Sequence, residues 1–128
     1  MSNQQKQKHH FTLGHTIADI DKIQRAIDTI AVSWKIDEKP LFQLNLILEE
    51  LISNTMVYGY IDKPEGKIDV ELSFDGAYIA VMMEDDAEEF DPTQMLAKQL
   101  EFVQRVCEDI QYTYQNQKNE LRFRMKVK

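Results

Sequence analysis

Hydrophobic positions recur with helical spacing in the first half of the chain. From Ile20 to Trp34, isoleucines and the single tryptophan recur every three or four residues, which predicts an amphipathic helix. A second apolar stretch with similar spacing, Leu44 to Tyr60, is preceded by Pro40 and has Gly59 near its end. Proline is tolerated in the first turn of a helix and glycine often follows the last turn. A second helix is therefore predicted over this stretch, ending at about Tyr58.

The second half of the chain alternates apolar and polar residues, as β-strands with one buried face do. Residues 68–74 form such a segment, and the Asp75-Gly76 dipeptide that follows is a strong hairpin signal. A two-residue turn there would pair Phe74 with Ala77 and Ile68 with Met83. The return segment is apolar on both faces, which predicts a strand near the centre of the sheet. Further strands are predicted at residues 11–13, 110–115 and 120–127.

Asp91 and Pro92 have the residue types of a helix N-cap and first helical position, so a third helix is predicted, ending near Glu108. Its apolar face would consist of Leu96, Leu100, Val103 and Cys107. The order strand, helix, helix, hairpin, helix, hairpin predicts an α+β fold. We expect a two-layer α/β sandwich, with a mixed, mainly antiparallel sheet and helices on one face. Residues 1–9 are expected to be a disordered tail and residues 10–128 a single domain.

Composition and charge argue against several function classes. The chain has 128 residues, of which 15 are basic and 22 acidic, for a formal net charge of -7. Nucleic-acid-binding domains present a net basic face, so this charge argues against nucleic acid, and against an anionic membrane surface. The single cysteine fits a reducing compartment, and no apolar run approaches the roughly 18 residues of a membrane span. The expected location is the cytoplasm.

Two polar residues interrupt the apolar pattern of the second helix. Glu50 and Asn54 are four residues apart, which places a carboxylate and a carboxamide one turn apart on one ridge, and Tyr58 continues that ridge. Asparagine is a poor residue for the middle of a helix. Polar groups on so apolar a helix face either water or a site, so Glu50 and Asn54 are candidate site residues.

Alternation also places a carboxylate at the end of the central strand. Counting on from Ile79 in steps of two brings Asp85 to the face that meets the helices, while Asp86 should point away. A buried carboxylate is costly without a partner. A ligand donor such as an adenine amino group is one partner, and a capping amide or a water molecule is another.

These two features resemble motifs of a known superfamily. Glu50-Leu51-Ile52-Ser53-Asn54 followed by Tyr58-Gly59-Tyr60 resembles the N-box of the GHKL ATPase/kinase superfamily, and most closely its anti-sigma-factor serine/threonine kinase branch. The block Glu84-Asp85-Asp86-Ala87-Glu88-Glu89-Phe90-Asp91-Pro92 resembles the G1 box of that family. The resemblance spans roughly residues 10 to 127 and implies a histidine-kinase-like ATPase domain with the Bergerat fold.

The resemblance implies a role for each candidate residue. Glu50 would be the general base, Asn54 would hold Mg²⁺, and Asp85 would recognise adenine, with ATP or ADP and magnesium as cofactors. Ala87 occupies a nucleotide-binding position at which the family has glycine. The family also implies a protein partner, such as a sigma factor or a small anti-sigma antagonist, and often a homodimer.

The sequence departs from the family where the phosphates bind. The glycine-rich G2 box and the ATP lid are missing, and none of the four glycines lies after Gly76. Phosphates are usually held by glycine-rich backbone amides, and the acidic run at residues 84–89 would repel a triphosphate unless Mg²⁺ intervened. We therefore expect a regulatory protein with a degenerate ATP site that acts by protein contact. The alternatives are an active serine/threonine kinase that phosphorylates an anti-sigma antagonist, and a structural relic without a ligand.

Overall fold

The computed structural model describes residues 7–14, 16–61, 66–95 and 102–128 of the chain. The strands are β1 (Gln7–Leu13), β2 (Ile68–Phe74), β3 (Tyr78–Asp85), β4 (Cys107–Gln115) and β5 (Lys118–Lys126). The α-helices are α1 (Asp21–Trp34), α2 (Glu38–Asn54) and α3 (Val103–Val106). Short 3₁₀ turns lie at Ile17–Asp19 and Pro92–Met95.

The strands form one five-stranded sheet in the order β1-β2-β3-β5-β4, so β3 is the central strand, as predicted. The four strand pairings are antiparallel, where a mixed, mainly antiparallel sheet was expected. Helices α1 and α2 lie against one face, and the core is the layer between them and the sheet. The expected α+β two-layer sandwich is confirmed.

Helices α1 and α2 bury the apolar stripes that their spacing predicted. In α1 the stripe from Ile23 to Trp34 is buried, and the Trp34 ring stacks on Phe74 of β2 with centroids 5.5 Å apart. In α2 the residues from Leu44 to Ile52 with helical spacing are almost fully buried. These contacts hold the two helices on the sheet and fix which ridge of α2 faces the end of β3.

Helix α2 ends in a wider π-helical turn, Thr55–Gly59, which closes at the glycine where the sequence predicted the end. The Thr55 hydroxyl donates a hydrogen bond of 3.0 Å to the Leu51 carbonyl and is itself buried. A π-turn inserts one residue into the helical ladder and shifts the residues that follow around the axis. The shift carries Gly59 against the loop after β3.

The β2–β3 hairpin differs in register from the prediction. Phe74 pairs with Ile79 and Ile68 with Asp85, a shift of two residues from the pairing expected for an Asp75-Gly76 turn. Asp75 lies before the turn instead, where its carboxylate accepts hydrogen bonds from the Ala77 and Tyr78 amides at 2.9 and 2.8 Å. A shift of two residues preserves the face of every side chain, so the predicted orientation of Asp85 survives the error.

Two other boundaries differ from those predicted. Strand β1 begins at Gln7, because residues 7–9, which were expected to belong to a tail, pair with residues 72–74 of β2. Cys107 was assigned to the third helix but is the first residue of β4, where it pairs with Met125. Residues 1–6 and 96–101, and with them Leu96 and Leu100, lie outside the described residues.

Candidate functional site

Asp85 lies at the end of β3 and faces the helix layer, as the alternation predicted. Its side chain is buried, with 5% of the residue exposed. Oδ1 accepts hydrogen bonds from the Ala87 amide at 3.0 Å and from the Asn119 side-chain amide at 2.9 Å. Of the partners considered for this carboxylate, a capping amide is therefore present, together with an asparagine that the sequence did not suggest. Burial raises the pKa of Asp85, and the two hydrogen bonds oppose that shift.

Asn119 connects Asp85 to the loop that follows β3. It is the direct cross-strand neighbour of Asp85 on β5 and is 2% exposed. Its Nδ2 also lies 3.2 Å from the Ala87 carbonyl oxygen and 2.9 Å from that of Glu88. One side chain thus binds both the carboxylate and the backbone of the adjoining loop.

The carbonyl end of Asn119 is also occupied. Its Oδ1 accepts a hydrogen bond of 3.0 Å from the Phe90 amide and a short one from the Tyr112 hydroxyl. Sequence reasoning missed Asn119 because it was assigned to the turn between the last two strands. The turn consists of Asn116 and Gln117, both with positive φ. Leu121, Phe123 and Met125 face inward at every second position of β5. Extending that alternation backwards by two residues would have placed Asn119 on the same inward face.

Glu50 and Asn54 lie together on one ridge of α2, as their spacing predicted. Asn54 Nδ2 lies 3.4 Å from Glu50 Oε2 and 3.4 Å from the Pro92 carbonyl oxygen. Asn54 is 9% exposed, whereas Glu50 is partly exposed. The amide of Asn54 is thus placed between the carboxylate of its own helix and the segment that follows the acidic loop.

Residues 90–92 lie across this ridge of α2. Phe90 packs on Tyr58, with ring centroids 5.6 Å apart and the rings tilted by 36°. Pro92 is buried and offers its carbonyl to Asn54. The chain itself therefore covers the part of the ridge that carries Asn54, while Tyr58 contacts Phe90 and stays partly exposed.

Ala87 packs against the end of α2. A Cβ atom added to Gly59 would lie 2.8 Å from the Ala87 Cβ, closer than side chains approach, so this contact requires glycine at position 59. The Glu88 amide donates a hydrogen bond of 3.0 Å to the Gly59 carbonyl. Ala87 is 3% exposed, and its methyl group is part of the interface between loop and helix.

Asp86 has contacts of a different kind from those of Asp85. Its Oδ1 accepts hydrogen bonds from the Tyr60 hydroxyl at 2.6 Å and from the Lys67 amide at 3.2 Å. Burial, and then the Asp86 carboxylate, raise the pKa of the Tyr60 hydroxyl, so it remains a donor. Asp86 thus anchors the segment that leads into β2.

The loop after β3 is strongly acidic. A hollow of about 450 Å³ beside it is lined by Asp86, Ala87, Glu88, Glu89, Tyr114 and Gln117. Within residues 7–14, 16–61, 66–95 and 102–128, no group of three or more histidine, cysteine, aspartate or glutamate side chains is arranged to hold a metal ion. Cys107 is buried, and burial raises the pKa of its thiol to about 12, as expected for a core residue and not for a nucleophile.

Comparison with known proteins identifies the domain type. The family model described as the histidine kinase-like ATPase domain matches residues 15–125, which include all four candidate positions: Glu50, Asn54, Asp85 and Ala87. A search of curated proteins returns no significant match. Among the described residues, no helix is both long enough and apolar enough to cross a membrane.

Proposed function

Because the chain belongs to the histidine kinase-like ATPase domain family, we propose that it is a cytoplasmic regulatory protein of the anti-sigma-factor kinase type that acts by protein contact. Its partner would be a sigma factor or a small anti-sigma antagonist. One observation carries the proposal. The two side chains that the family resemblance assigns to the nucleotide, Asp85 and Asn54, are hydrogen-bonded to the chain itself.

At the adenine end of the proposed site, a ligand would compete with groups of the protein for the Asp85 carboxylate. An adenine amino group would have to bind an Asp85 carboxylate that already accepts two hydrogen bonds through Oδ1. Displacing the Asn119 amide would break its hydrogen bond to the carboxylate, which costs about 0.5–1.5 kcal/mol or more because the acceptor is charged, although Nδ2 keeps the Ala87 and Glu88 carbonyl oxygens as acceptors. A nucleoside would thus need either the second carboxylate oxygen or a rearranged Asn119.

The region around Asn54, where the family resemblance places the phosphates, fits a nucleotide less well than the region around Asp85 does. Asn54 lies against the Pro92 carbonyl, and no glycine follows Gly76 in the chain. Residues 84–91 carry six carboxylates, at positions 84, 85, 86, 88, 89 and 91. A triphosphate beside them would be repelled, and magnesium would need ligands that Asn54 alone does not supply. Within the described part of the chain, the residues beside Asn54 therefore do not fit a magnesium–triphosphate group.

The surface beside the site suits a protein partner. Three of the six exposed large hydrophobic residues in the described part of the chain lie within five positions at the end of α2. They are Val57, Tyr58 and Ile61, which are 54%, 43% and 72% exposed. Apolar side chains grouped in this way next to a family's functional site are candidates for burial against another protein.

Calorimetric titration tests the nucleotide part of the proposal. The full chain is titrated with ATP, ADP and adenosine, each with and without Mg²⁺, and Asp85→Asn is the matched variant. We expect no magnesium-dependent ATP binding at micromolar affinity. Micromolar binding that requires Mg²⁺ and is lost in Asp85→Asn would overturn this part.

Partner binding tests the regulatory part. We expect crosslinking in native cells, followed by mass spectrometry, to identify a sigma factor or an anti-sigma antagonist. Val57→Ser and Ile61→Ser should lower the affinity for that purified partner. The control is Val32→Ser, which changes an even more exposed valine on α1, away from this surface, and should leave the affinity unchanged. If neither class of partner is recovered, or if all three variants bind equally, contact through this surface is wrong.

An active kinase is the second candidate, and one observation favours it. Glu50 is partly exposed on the same ridge as Asn54, where the family resemblance places a general base. A base acts only if the hydroxyl that it deprotonates lies in line with a γ-phosphate that is held in place. Phosphorylation of a candidate antagonist that disappears in Glu50→Ala would make this the leading function.

A further inference from the structure

Strand β1 forms an open edge of the sheet. It pairs with β2 on one side, and among the residues that the structure describes no strand pairs with its other side. In an antiparallel pair every second residue turns its amide and carbonyl groups away from the partner strand. The free side of β1 therefore presents backbone donors and acceptors to which a further extended segment can pair.

A groove runs along this edge, between β1 and α1. The hollow in it, of about 280 Å³, is lined by His9, His10 and Phe11 of the strand and by residues of α1 from Lys22 to Thr29. His9 and Phe11 face the helix layer, because they pair with buried core residues of β2, and their ring centroids lie 6.2 Å apart. An extended segment added to the edge would direct every second side chain into this groove.

The wall that α1 contributes is apolar at its base and cationic at its rim. The lining residues Lys22, Arg25, Ala26 and Thr29 recur at helical spacing and therefore share one side of α1. Ala26 is buried, whereas the Lys22 and Arg25 side chains are 46% and 75% exposed. Among the described residues that line the groove none is acidic, although the whole chain has a formal net charge of -7. The groove thus suits apolar side chains flanked by carboxylates.

The two cations keep donors for an incoming carboxylate. Lys22 Nζ lies 3.1 Å from the Asp19 carboxylate, and Arg25 lies 3.2 Å from that of Asp21. An ammonium group has three donors and a guanidinium group has five, so one carboxylate does not occupy either cation fully. Exposed ion pairs of this kind also rearrange at little cost. A second carboxylate can therefore bind at this rim.

The paired side of β1 shows which chemistry the strand accepts. The sequence of β1, QKHHFTL, has no acidic residue, whereas β2 beside it carries Asp69 and Glu71. Lys8 lies 4.0 Å from the Glu71 carboxylate, and His10 lies 3.3 Å from that of Asp69. Contacts of this kind between neighbouring strands stabilise their pairing. A second strand of alternating apolar and acidic residues would match the free side in the same way.

We propose that an extended acidic segment of a partner protein binds along the free edge of β1 as an added strand, with alternate side chains in the groove against α1. Backbone hydrogen bonds to β1 provide affinity, and the cations at the rim select carboxylates. The inference does not depend on the proposed function, because the surface proposed there lies at the end of α2.

The charges on this edge also favour an acidic partner over a second copy of the chain. Pairing β1 with β1 would bring two edges together that each carry Lys8, Lys22 and Arg25. Lysine on an edge strand is a common protection against pairing with an identical edge. That protection acts through the repulsion of like charges, so it leaves the edge open to an acidic strand.

Fluorescence polarisation with labelled synthetic peptides tests the chemistry on the full chain. The probe is a capped octapeptide of alternating threonine and glutamate. One matched peptide has lysine in place of glutamate, and another has every threonine in the D-form, which keeps charge and composition but disrupts the extended strand. We expect the probe to bind with a dissociation constant below about 1 mM, and both matched peptides to bind at least about tenfold more weakly.

Charge reversal tests the groove. The double variant Lys22→Glu with Arg25→Glu should bind the probe about tenfold or more weakly, because carboxylates would then face carboxylates. Lys39→Glu, on an exposed lysine in the first turn of α2, is the matched control and should bind like the wild type. Circular dichroism of each variant checks that it is folded.

Hydrogen exchange of the wild type, followed by mass spectrometry, locates the probe without any substitution. Saturating peptide should increase protection within Gln7–Leu13 and leave the opposite edge strand, Cys107–Gln115, unchanged. The proposal is overturned if the probe does not bind below about 1 mM, if the three peptides bind equally, or if β1 gains no protection. Protection of β1 that rises with protein concentration without peptide would assign the edge to a second copy and would equally overturn it.

Discussion

Neighbouring polar residues are buried on one face of the sheet and solvent-exposed on the other. Asp85 and Asn119 face the helix layer and are buried, whereas Glu84 and Glu120, one residue away on the same two strands, face outward. On the inner face, both ends of the Asn119 side chain have partners within the chain. On the outer face, Arg122 pairs with Glu120 while more than half of its side chain stays exposed.

The difference shows that burial decides what a polar group contributes. A buried donor or acceptor must be hydrogen-bonded, because losing its partner costs about 1–3 kcal/mol, whereas an exposed ion pair contributes about 0–1 kcal/mol. The inner polar residues therefore stabilise the fold. The outer charges cost little to rearrange.

The largest expected effect is on the inner face. Asn119→Ala should lower the free energy of unfolding by about 3 kcal/mol, because it removes one buried hydrogen bond each from the Asp85 carboxylate, the Phe90 amide and the Tyr112 hydroxyl. Denaturant unfolding measures this change. Gln115→Ala removes an exposed amide from the end of β4 and is the matched control, with less than about 0.5 kcal/mol expected. Equal losses in the two variants would contradict the comparison.

A smaller effect should appear in the pH dependence of the free energy of unfolding, with opposite signs for an aspartate on each face of the sheet. The pKa of Asp85 is raised, chiefly by burial. The folded state therefore binds a proton more readily than the unfolded chain does, and this residue adds stability as pH falls through its folded pKa. Asp85→Asn keeps the Oδ1 acceptor and removes the charge, so at neutral pH it should be at least as stable as the wild type. Its relative advantage should shrink as the pH is lowered.

Asp69 supplies the opposite case on the outer face. Burial raises its pKa, but the Thr12 hydroxyl, Lys67 and His10 together lower it below the ordinary value. Its stabilisation is present above the unfolded pKa and is lost as pH falls through the folded pKa, so Asp69→Asn should destabilise at neutral pH and match the wild type in acid. Unfolding curves from neutral to acidic pH measure both variants. If Asp85→Asn and Asp69→Asn changed the free energy of unfolding at neutral pH in the same direction, the opposite pKa shifts assigned to the two aspartates would be contradicted.

The smallest expected effect is on the outer face. Glu71→Gln and Arg122→Gln should each change the free energy of unfolding of the monomer by less than about 0.5 kcal/mol, because both side chains are partly solvated. The measurement is made at a protein concentration low enough to avoid association, which would add apparent stability. A loss above about 1 kcal/mol in either variant would show that these charges hold the monomer together.

Periodicity predicted α1, α2, the strands and the position of β3, since each depends on which side of an element is apolar. It also predicted that Asp85 faces the helices and that Glu50 and Asn54 share a ridge.

The third helix, expected from Asp91 to about Glu108, was wrong at both ends, where the structure has a 3₁₀ turn at Pro92–Met95 and α3 ends at Val106. The hairpin register was wrong, because it depends on the Asp75 side chain accepting the amides of its own turn. The assignment of Cys107 to the third helix was wrong, because an apolar residue at the junction of a helix and a strand fits both patterns.

The sequence by itself determined the layers, the family motifs and the absence of a glycine-rich segment after Gly76, because these are properties of spacing and residue type. Only the tertiary structure decided which partners the polar residues have. Asp85 is 34 residues from Asn119, and Asn54 is 38 residues from Pro92. Such pairs arise from the stacking of β3 beside β5 and of the loop on α2, and no local pattern encodes them. The same stacking places Glu71 and Arg122 in one row on the outer face.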